Sequence, residues 1–145
     1  MEEEHIYLTA AGLKRIKKRY QTLCRRREED NKEKNGDKDL ELSTDERLLQ
    51  EEIQREEFIL SHYQLIHRPQ GEERKKVNLG AKVIVEIDRR FQKFTIVDFP
   101  EANPDQGRIS RSSPLAKALF GGKVGDEILV NIKPPQRVRI KKIKY

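Results

Sequence analysis

Two segments in the first half of the chain carry apolar residues at every third or fourth position, and this spacing constrains the fold more than any other feature. The first series is Leu13, Ile16, Tyr20 and Leu23. The second is Leu49, Ile53, Leu60 and Tyr63, with Ile59 and Ile66 beside it. Each series draws one narrow apolar stripe along a helix. Such a stripe is typical of a coiled-coil seam and not of the broad buried face of a globular helix.

Turn and capping signals divide this half of the chain into two helices. Thr9 is a suitable N-cap for the first helix, and Ser43 followed by Glu46 has the spacing of a capping box that opens the second. The best turn signal between them is Asn35-Gly36-Asp37, because Asn and Gly adopt positive φ at low cost. We therefore predict an antiparallel helical hairpin over residues 1–68, with arms of about 25 residues and about 37 Å.

The pattern changes to alternation after a polar linker at residues 69–76. The residues that alternate with polar neighbours are Val83, Val85 and Ile87, then Phe94 and Ile96, then Ile128, Val130 and Ile132, and lastly Val138 and Ile140. Ser113-Pro114 is typical of the start of a short helix, and Gly121-Gly122 of its end. Residues 77–145 are thus predicted to form a small, mostly antiparallel sheet with one short helix, and the fold class is α+β.

Charge is distributed unevenly along the chain. The formal net charge of +6 comes from 31 Lys and Arg against 25 Asp and Glu, but residues 76–145 alone hold 15 basic and 7 acidic residues. Eight basic residues and no acid lie between Lys14 and Arg27, whereas nine acids and three lysines lie between Glu28 and Glu46. A simple polyanion-binding protein would gain nothing from the acidic block.

Several classes of protein are excluded or disfavoured by the sequence. No segment approaches the roughly 20 apolar residues of a membrane span, and the acidic N-terminus does not resemble a signal peptide, so we expect a cytoplasmic protein with no membrane partner. The single cysteine, Cys24, allows no internal disulfide. No nucleophile elbow, phosphate-binding loop or Cys/His metal spacing is present, so we expect no enzyme activity of the chain's own.

The acidic turn and the basic stem each have two interpretations. Asp37, Asp39 and Glu41 lie within five positions, and exposed carboxylates could donate oxygen ligands to Mg²⁺ if a second macromolecule completed the site. Composition alone favours the second interpretation, a solvated turn, because runs of charge usually form solvated surface. The basic block could follow a phosphate backbone or simply flank the seam.

A resemblance to a known family puts these features in order. The segments Gly107–Ser110 and Ser112–Glu127 resemble the signature of the FKBP-like C-terminal domain of the Gre family of bacterial transcription elongation factors (GreA/GreB). Leu79–Val83, Thr95–Val97 with Glu101-Ala102, and Tyr7–Thr9 with Gly12-Leu13 are similar to further stretches of that family. The resemblance is strong from Leu79 onward and weaker in the hairpin.

The resemblance implies an accessory factor, a monomer, that stimulates hydrolysis by RNA polymerase. In the family the coiled coil enters the secondary channel, the C-terminal domain docks at the channel mouth, and two tip acids help to hold a catalytic Mg²⁺ while backtracked nascent RNA is cleaved. Carried over to this chain, the Mg²⁺ ligands are Asp39, Asp37 and Glu41. The RNA-facing basic residues are Lys14, Lys17, Lys18, Arg25 and Arg26. The polymerase-docking residues are Ser113, Pro114, Leu115, Lys117 and Lys123.

The tip departs from the family pattern of an Asp followed three residues later by a Glu. If Asp37 is taken as the family's Asp, Leu40 stands where the family has its Glu. If Asp39 is taken instead, Leu42 stands there. This difference leaves open a second hypothesis, a regulator that occupies the secondary channel without stimulating cleavage. A prolyl isomerase or chaperone built on the C-terminal domain and a free-standing nucleic-acid binder are two further alternatives.

Overall fold

The computed structural model describes residues 5–33 and 43–145, and these residues confirm the α+β class. Their contacts divide the chain into two units. The first, here called the hairpin unit, comprises Met1–Ile6 and Ala10–Tyr63. The second, the sheet unit, comprises Tyr7–Thr9 and Gln64–Tyr145. A short stretch near the N-terminus therefore belongs to the second unit, which the sequence pattern did not indicate.

The hairpin unit contains helices α1 (Ala10–Glu33) and α2 (Thr44–His62), of 24 and 19 residues. At 1.5 Å per residue these are about 36 Å and 28 Å long. Ser43 caps α2 as predicted, its hydroxyl accepting a hydrogen bond from the Glu46 N–H at 3.3 Å. Arg19 contacts Glu56 whereas Leu23, further along α1, packs with Leu49 and Ile53, earlier on α2, so the helices run antiparallel.

The seam of α2 follows a register that differs from the prediction. Leu49 and Ile53 are buried as expected, but Glu56 and Ile59 continue the buried stripe, and Leu60 is only partly buried. The prediction was also wrong about the helix end. Tyr63 takes an extended conformation (ψ 156°), so it opens strand β2 (Tyr63–Leu65), which pairs with β1 (Ile6–Leu8).

The sheet unit is built on a five-stranded sheet. Its strands are β3 (Lys82–Ile87), β4 (Arg90–Val97), β5 (Arg108–Ser110), β6 (Glu127–Val130) and β7 (Gln136–Lys144), in the order β5-β4-β3-β7-β6. The pairs are antiparallel except that β5, which was not predicted, runs parallel to β4. Ile132, predicted to lie in a strand, follows the end of β6.

A tight hairpin turn, one short α-helix and three 3₁₀ turns lie between or before the strands of the sheet. Asp88 and Arg89, both at positive φ (50° and 63°), join β3 to β4 in a two-residue turn. Helix α3 spans Pro114–Leu119, and 3₁₀ turns lie at Gly71–Lys75, Phe99–Glu101 and Pro104–Gln106. The first of these falls inside the predicted linker at 69–76.

The core of the sheet unit lies between the sheet and α3. Alternate residues of β3 and β7 (Val83, Val85, Val138 and Ile140) are completely buried there, together with Ala116 and Leu119 of α3. Alternation along each strand sends the intervening side chains to the other face of the sheet. The sheet therefore has one face covered by α3 and one outer face.

Candidate functional site

The predicted metal ligands Asp37, Asp39 and Glu41 lie outside the described residues, as does the turn that carries them. Within residues 5–33 and 43–145, no group of three or more His, Cys, Asp or Glu side chains is placed to hold a metal ion. His62 contacts Phe58 instead, with its Nδ1 2.9 Å from the Phe58 carbonyl oxygen and the two rings stacked at 4.2 Å.

Three of the five predicted RNA-facing residues share one side of α1. All five residues predicted to face RNA are exposed: Lys14, Lys17, Lys18, Arg25 and Arg26. At 3.6 residues per turn, Lys14, Lys18 and Arg25 lie on one face, opposite the side that carries buried Ile16 and Leu23. Lys17 borders this face, and Arg26 lies about a quarter turn away. Lys14, Lys18 and Arg25 together define what we call the basic face of α1.

A buried carboxylate lies in the hairpin seam. Glu56 is 5% exposed and its Oε1 is 3.3 Å from Arg19 Nη1, while its Oε2 has no hydrogen-bond partner among the described residues. Next to it, the Tyr20 hydroxyl donates to Glu57 Oε1 at 2.9 Å. That bond, followed by one with Cys24, raises the pKa of Tyr20 to about 12. The apolar stripe in the sequence did not predict that Glu56 is buried, because Glu56 is charged and the stripe consists of apolar residues.

The predicted docking residues gather around α3. The Ser113 hydroxyl caps the helix by accepting from the Ala116 N–H at 3.3 Å, and Pro114, whose missing N–H costs nothing there, follows as the first helical residue. Lys117 is exposed on α3, and Lys123 lies in the next turn, where its N–H donates to Asp126 Oδ2 at 2.9 Å.

Apolar surface accompanies these residues. Phe120 is 47% exposed and Val124 is 58% exposed, so the end of α3 and the turn after it present apolar side chains to solvent. Leu115 lines a cavity of about 510 Å³ with Ile87, Asp88, Arg90, Gln92, Phe94 and Gln136. A capped helix with exposed apolar groups and nearby lysines is suited to binding a protein surface.

Two buried acids fix the N-terminal stretch of the sheet unit. Asp98 Oδ2 accepts from the Tyr7 N–H at 3.0 Å, and Glu101 Oε2 accepts from the Thr9 N–H at 2.9 Å. Arg111 lies 3.3 Å from Asp98 Oδ1 and above the Tyr7 ring at 5.6 Å. Sequence reasoning missed this arrangement, since contacts across some 90 residues leave no local pattern.

Membrane insertion of a helix finds no support in the described ranges, where none of the helices is long and apolar enough to cross a bilayer.

Comparison with known proteins gives a consistent match. A family model described as "Transcription elongation factor, GreA/GreB, C-term" matches residues 72–145. The transcription elongation factor GreA of Thermomicrobium roseum is 31% identical, over 93% of this chain and 92% of that protein. GreA of Mycoplasma pneumoniae is 33% identical, over 99% and 98%.

Solved structures of similar length also match. GreA factor homolog 1 of Thermus thermophilus is 25% identical with a TM-score of 0.44, covering 98% of this chain and 100% of that one. The family model spans just over half of the chain and the curated relatives span nearly all of it. The chain therefore belongs to the GreA/GreB family of transcription elongation factors.

Proposed function

We propose that this protein binds RNA polymerase through the secondary channel and stimulates cleavage of backtracked transcript. The observation that carries the proposal is family membership along nearly the whole chain, in both the hairpin and the sheet unit. The hairpin has the form required of an inserted element, because a two-helix seam leaves the remaining surface free to face a channel.

The basic face of α1 supports a role beside RNA. Lys14, Lys18 and Arg25 share one side of the helix and point away from the seam. Cations arranged in this way attract phosphates at long range and lose that attraction as salt increases. The extruded 3′ segment of a backtracked transcript is the polyanion that a channel-inserted hairpin would meet.

The acids at the turn support a role in metal binding. Asp37, Asp39 and Glu41 supply three carboxylates within five positions. Mg²⁺ typically takes one or two carboxylates together with waters and phosphates, so the chain would donate part of a site that polymerase and RNA complete. When bound, a second Mg²⁺ supplies stabilisation of the attacking and leaving oxygens in a hydrolysis.

The surface around α3 is our candidate for docking on polymerase. Pro114 and Lys117 are exposed on it, with Phe120 adding apolar area. This arrangement fits a protein partner better than a prolyl isomerase site. Such sites are largely enclosed and aromatic, whereas Phe94 is the one aromatic side chain that the described residues contribute to the neighbouring cavity.

A transcript-cleavage assay tests the proposal. Purified protein is added to backtracked elongation complexes, and we expect faster release of the 3′ RNA fragment. The variant Asp37→Ala/Asp39→Ala/Glu41→Ala should lose the acceleration but still bind polymerase. Its matched control, Glu28→Ala/Glu29→Ala/Glu33→Ala, removes three acids from α1 and should keep it. Equal acceleration by wild type and tip variant would contradict the metal role.

The second candidate function is a channel regulator that does not stimulate cleavage. The observation in its favour is leucine, Leu40 or Leu42, where the family pattern has its second acid. This hypothesis predicts polymerase binding without faster cleavage, and competition with a cleavage-active family member in the same assay. Absence of competition would exclude it.

A further inference from the structure

The outer face of the five-stranded sheet, opposite α3, carries a cluster of lysines. Register places Lys82 between Thr95 of β4 and Lys144 of β7, and Ile84 between Lys93 and Lys142. Neighbouring strands lie about 4.8 Å apart and same-face residues about 6.8 Å apart along a strand. A register shift after Ile140 interrupts the alternation of β7, so Lys142 and Lys144 lie on the outer face although Val138 and Ile140 lie in the core. Lys82, Lys93, Lys142 and Lys144 therefore surround Ile84 within a small area, which we call the lysine patch.

The rest of the outer face carries both acidic and basic side chains. Glu86 Oε2 is 3.2 Å from Lys141 Nζ, and Glu127 Oε2 is 3.6 Å from Arg139 Nη2, so both acids of that region are paired. None of the four lysines of the patch forms a salt bridge with an acid in the described ranges. The positive charge is thus concentrated at one end of the sheet.

Like charges at this spacing repel one another. The interaction of Lys142 with the Lys144 side chain, and the charge repulsion between the two, lower the pKa of Lys142. Like charges facing each other on a sheet also destabilise it. A face that served solubility alone would mix signs, as the other end of this sheet does. The patch is therefore suited to binding an anion.

An exposed aromatic ring borders the patch. Phe91 lies two residues before Lys93 on β4, on the same face, and is 67% exposed. A ring open to solvent on a sheet, beside cations, can stack on a nucleic-acid base, since every base has a π-face. An acidic protein surface would use the lysines but would have no particular need of this ring.

From the patch and the ring together we propose that the outer face of the sheet binds single-stranded nucleic acid, with phosphates on Lys82, Lys93, Lys142 and Lys144 and a base stacked on Phe91. This site shares no residue with the basic face of α1. It is also on the opposite face of the sheet from α3, so it is distinct from the proposed polymerase-docking surface. The inference goes beyond the proposed function and does not depend on it.

Direct binding to the full chain, without polymerase, tests the proposal. Fluorescence anisotropy is measured with labelled oligo(U) and oligo(dT) of equal length, an RNA duplex, and polyglutamate. Lys142→Gln/Lys144→Gln should weaken single-strand binding about tenfold at low salt and reduce the slope of log K against log salt by about 1.4, at about 0.7 per phosphate. Phe91→Leu, which keeps an apolar side chain, should weaken it about fivefold or more.

The control Lys75→Gln/Lys133→Gln removes the same charge from the sheet unit away from the patch. Both double variants replace exposed side chains, and circular dichroism of each variant checks that it folds. Binding of oligo(U), oligo(dT) or both with the expected dependence supports the proposal. It is overturned if the two double variants weaken binding equally, if Phe91→Leu has no effect, or if the duplex or polyglutamate binds as tightly as the single strands.

Discussion

The Thr9 hydroxyl donates a 2.6 Å hydrogen bond to Glu101 Oε1, across 92 positions of the chain. The other oxygen of the same carboxylate accepts from the Thr9 N–H at 2.9 Å, and Glu101 is only 5% exposed. One buried acid thus satisfies both donors of the residue that immediately precedes α1. The bidentate contact ties the short N-terminal stretch Tyr7–Thr9 to the rest of the sheet unit.

Replacing Glu101 should loosen that stretch. Glu101→Ala removes the carboxylate and leaves the N–H and the hydroxyl of Thr9 without this acceptor. We therefore expect the variant to lower the free energy of unfolding of the sheet unit by about 1–3 kcal/mol. Hydrogen exchange at the Thr9 amide should accelerate markedly. The control is Glu127→Ala, which breaks an exposed pair with Arg139 and should cost no more than about 0.5 kcal/mol. Unchanged exchange at Thr9 would contradict the assignment.

The Arg19–Glu56 pair should respond asymmetrically to mutation. Arg19→Ala leaves a carboxylate buried in the seam without its cation, and because the Arg19 side chain is 57% exposed we expect a moderate loss of about 1–2 kcal/mol. Glu56→Met removes the buried charge together with Oε2, which has no hydrogen-bond partner in the part of the chain that the structure describes, and it fills the seam. Stability should therefore be unchanged or higher. Urea unfolding followed by helical circular dichroism measures both, and equal destabilisation by the two variants would disprove the asymmetry.

Tyr20 should titrate well above an ordinary tyrosine. The hydrogen bond to Glu57 is the main cause that raises its pKa to about 12. A raised pKa in the folded state favours the neutral phenol. Its stabilising contribution is therefore complete below the ordinary value near 10 and is lost as the pH rises through about 12. Ultraviolet titration of the phenolate detects this group, and Glu57→Gln should move it back toward 10, whereas Glu52→Gln should not.

How much of this could be read from the sequence differs between the two units. Alternation located β3, β4 and β7 because each has one face on a core, and Ser43 and Ser113 were identified as caps by strictly local chemistry. The register of the α2 seam was missed, since Glu56 is buried by a partner on the other helix and not by its own hydrophobicity. The lysine patch could not be predicted from the sequence either, because Lys82 and Lys144 become neighbours only through the pairing of β3 with β7.

Gly121 and Gly122 follow α3 and were predicted together as the end of that helix, but they have different physical roles. At Gly122 a Cβ would lie 2.6 Å from Ile140 Cδ1, a fully buried side chain, and 3.0 Å from the Leu119 carbonyl oxygen. Gly122→Ala should therefore cost about 1–3 kcal/mol through overpacking. Gly121 has φ +81° with open space around it, so Gly121→Ala should cost about 1 kcal/mol through backbone strain alone. Thermal melts of the two variants rank them, and the reverse order would contradict this distinction.

The basic face of α1 should govern cleavage through its position and not through net charge. Lys14, Lys18 and Arg25 lie on one side of the helix, so replacing all three with Gln removes the three cations that define the basic face. If RNA passes along it, cleavage of backtracked complexes should fall about tenfold at low salt, and the difference from wild type should shrink as salt screens both proteins.

The charge-matched control is Arg47→Gln/Arg55→Gln/Arg68→Gln, three exposed arginines outside α1, which should change the rate by less than about twofold. Polymerase affinity, measured separately, distinguishes weaker RNA guidance from weaker docking: the α1 variant should keep its affinity, whereas Pro114→Ala/Leu115→Ala should lose it. A proportional loss of cleavage in the α1 variant and its control would show that only net charge matters, and the assignment of this face to RNA would have to be abandoned.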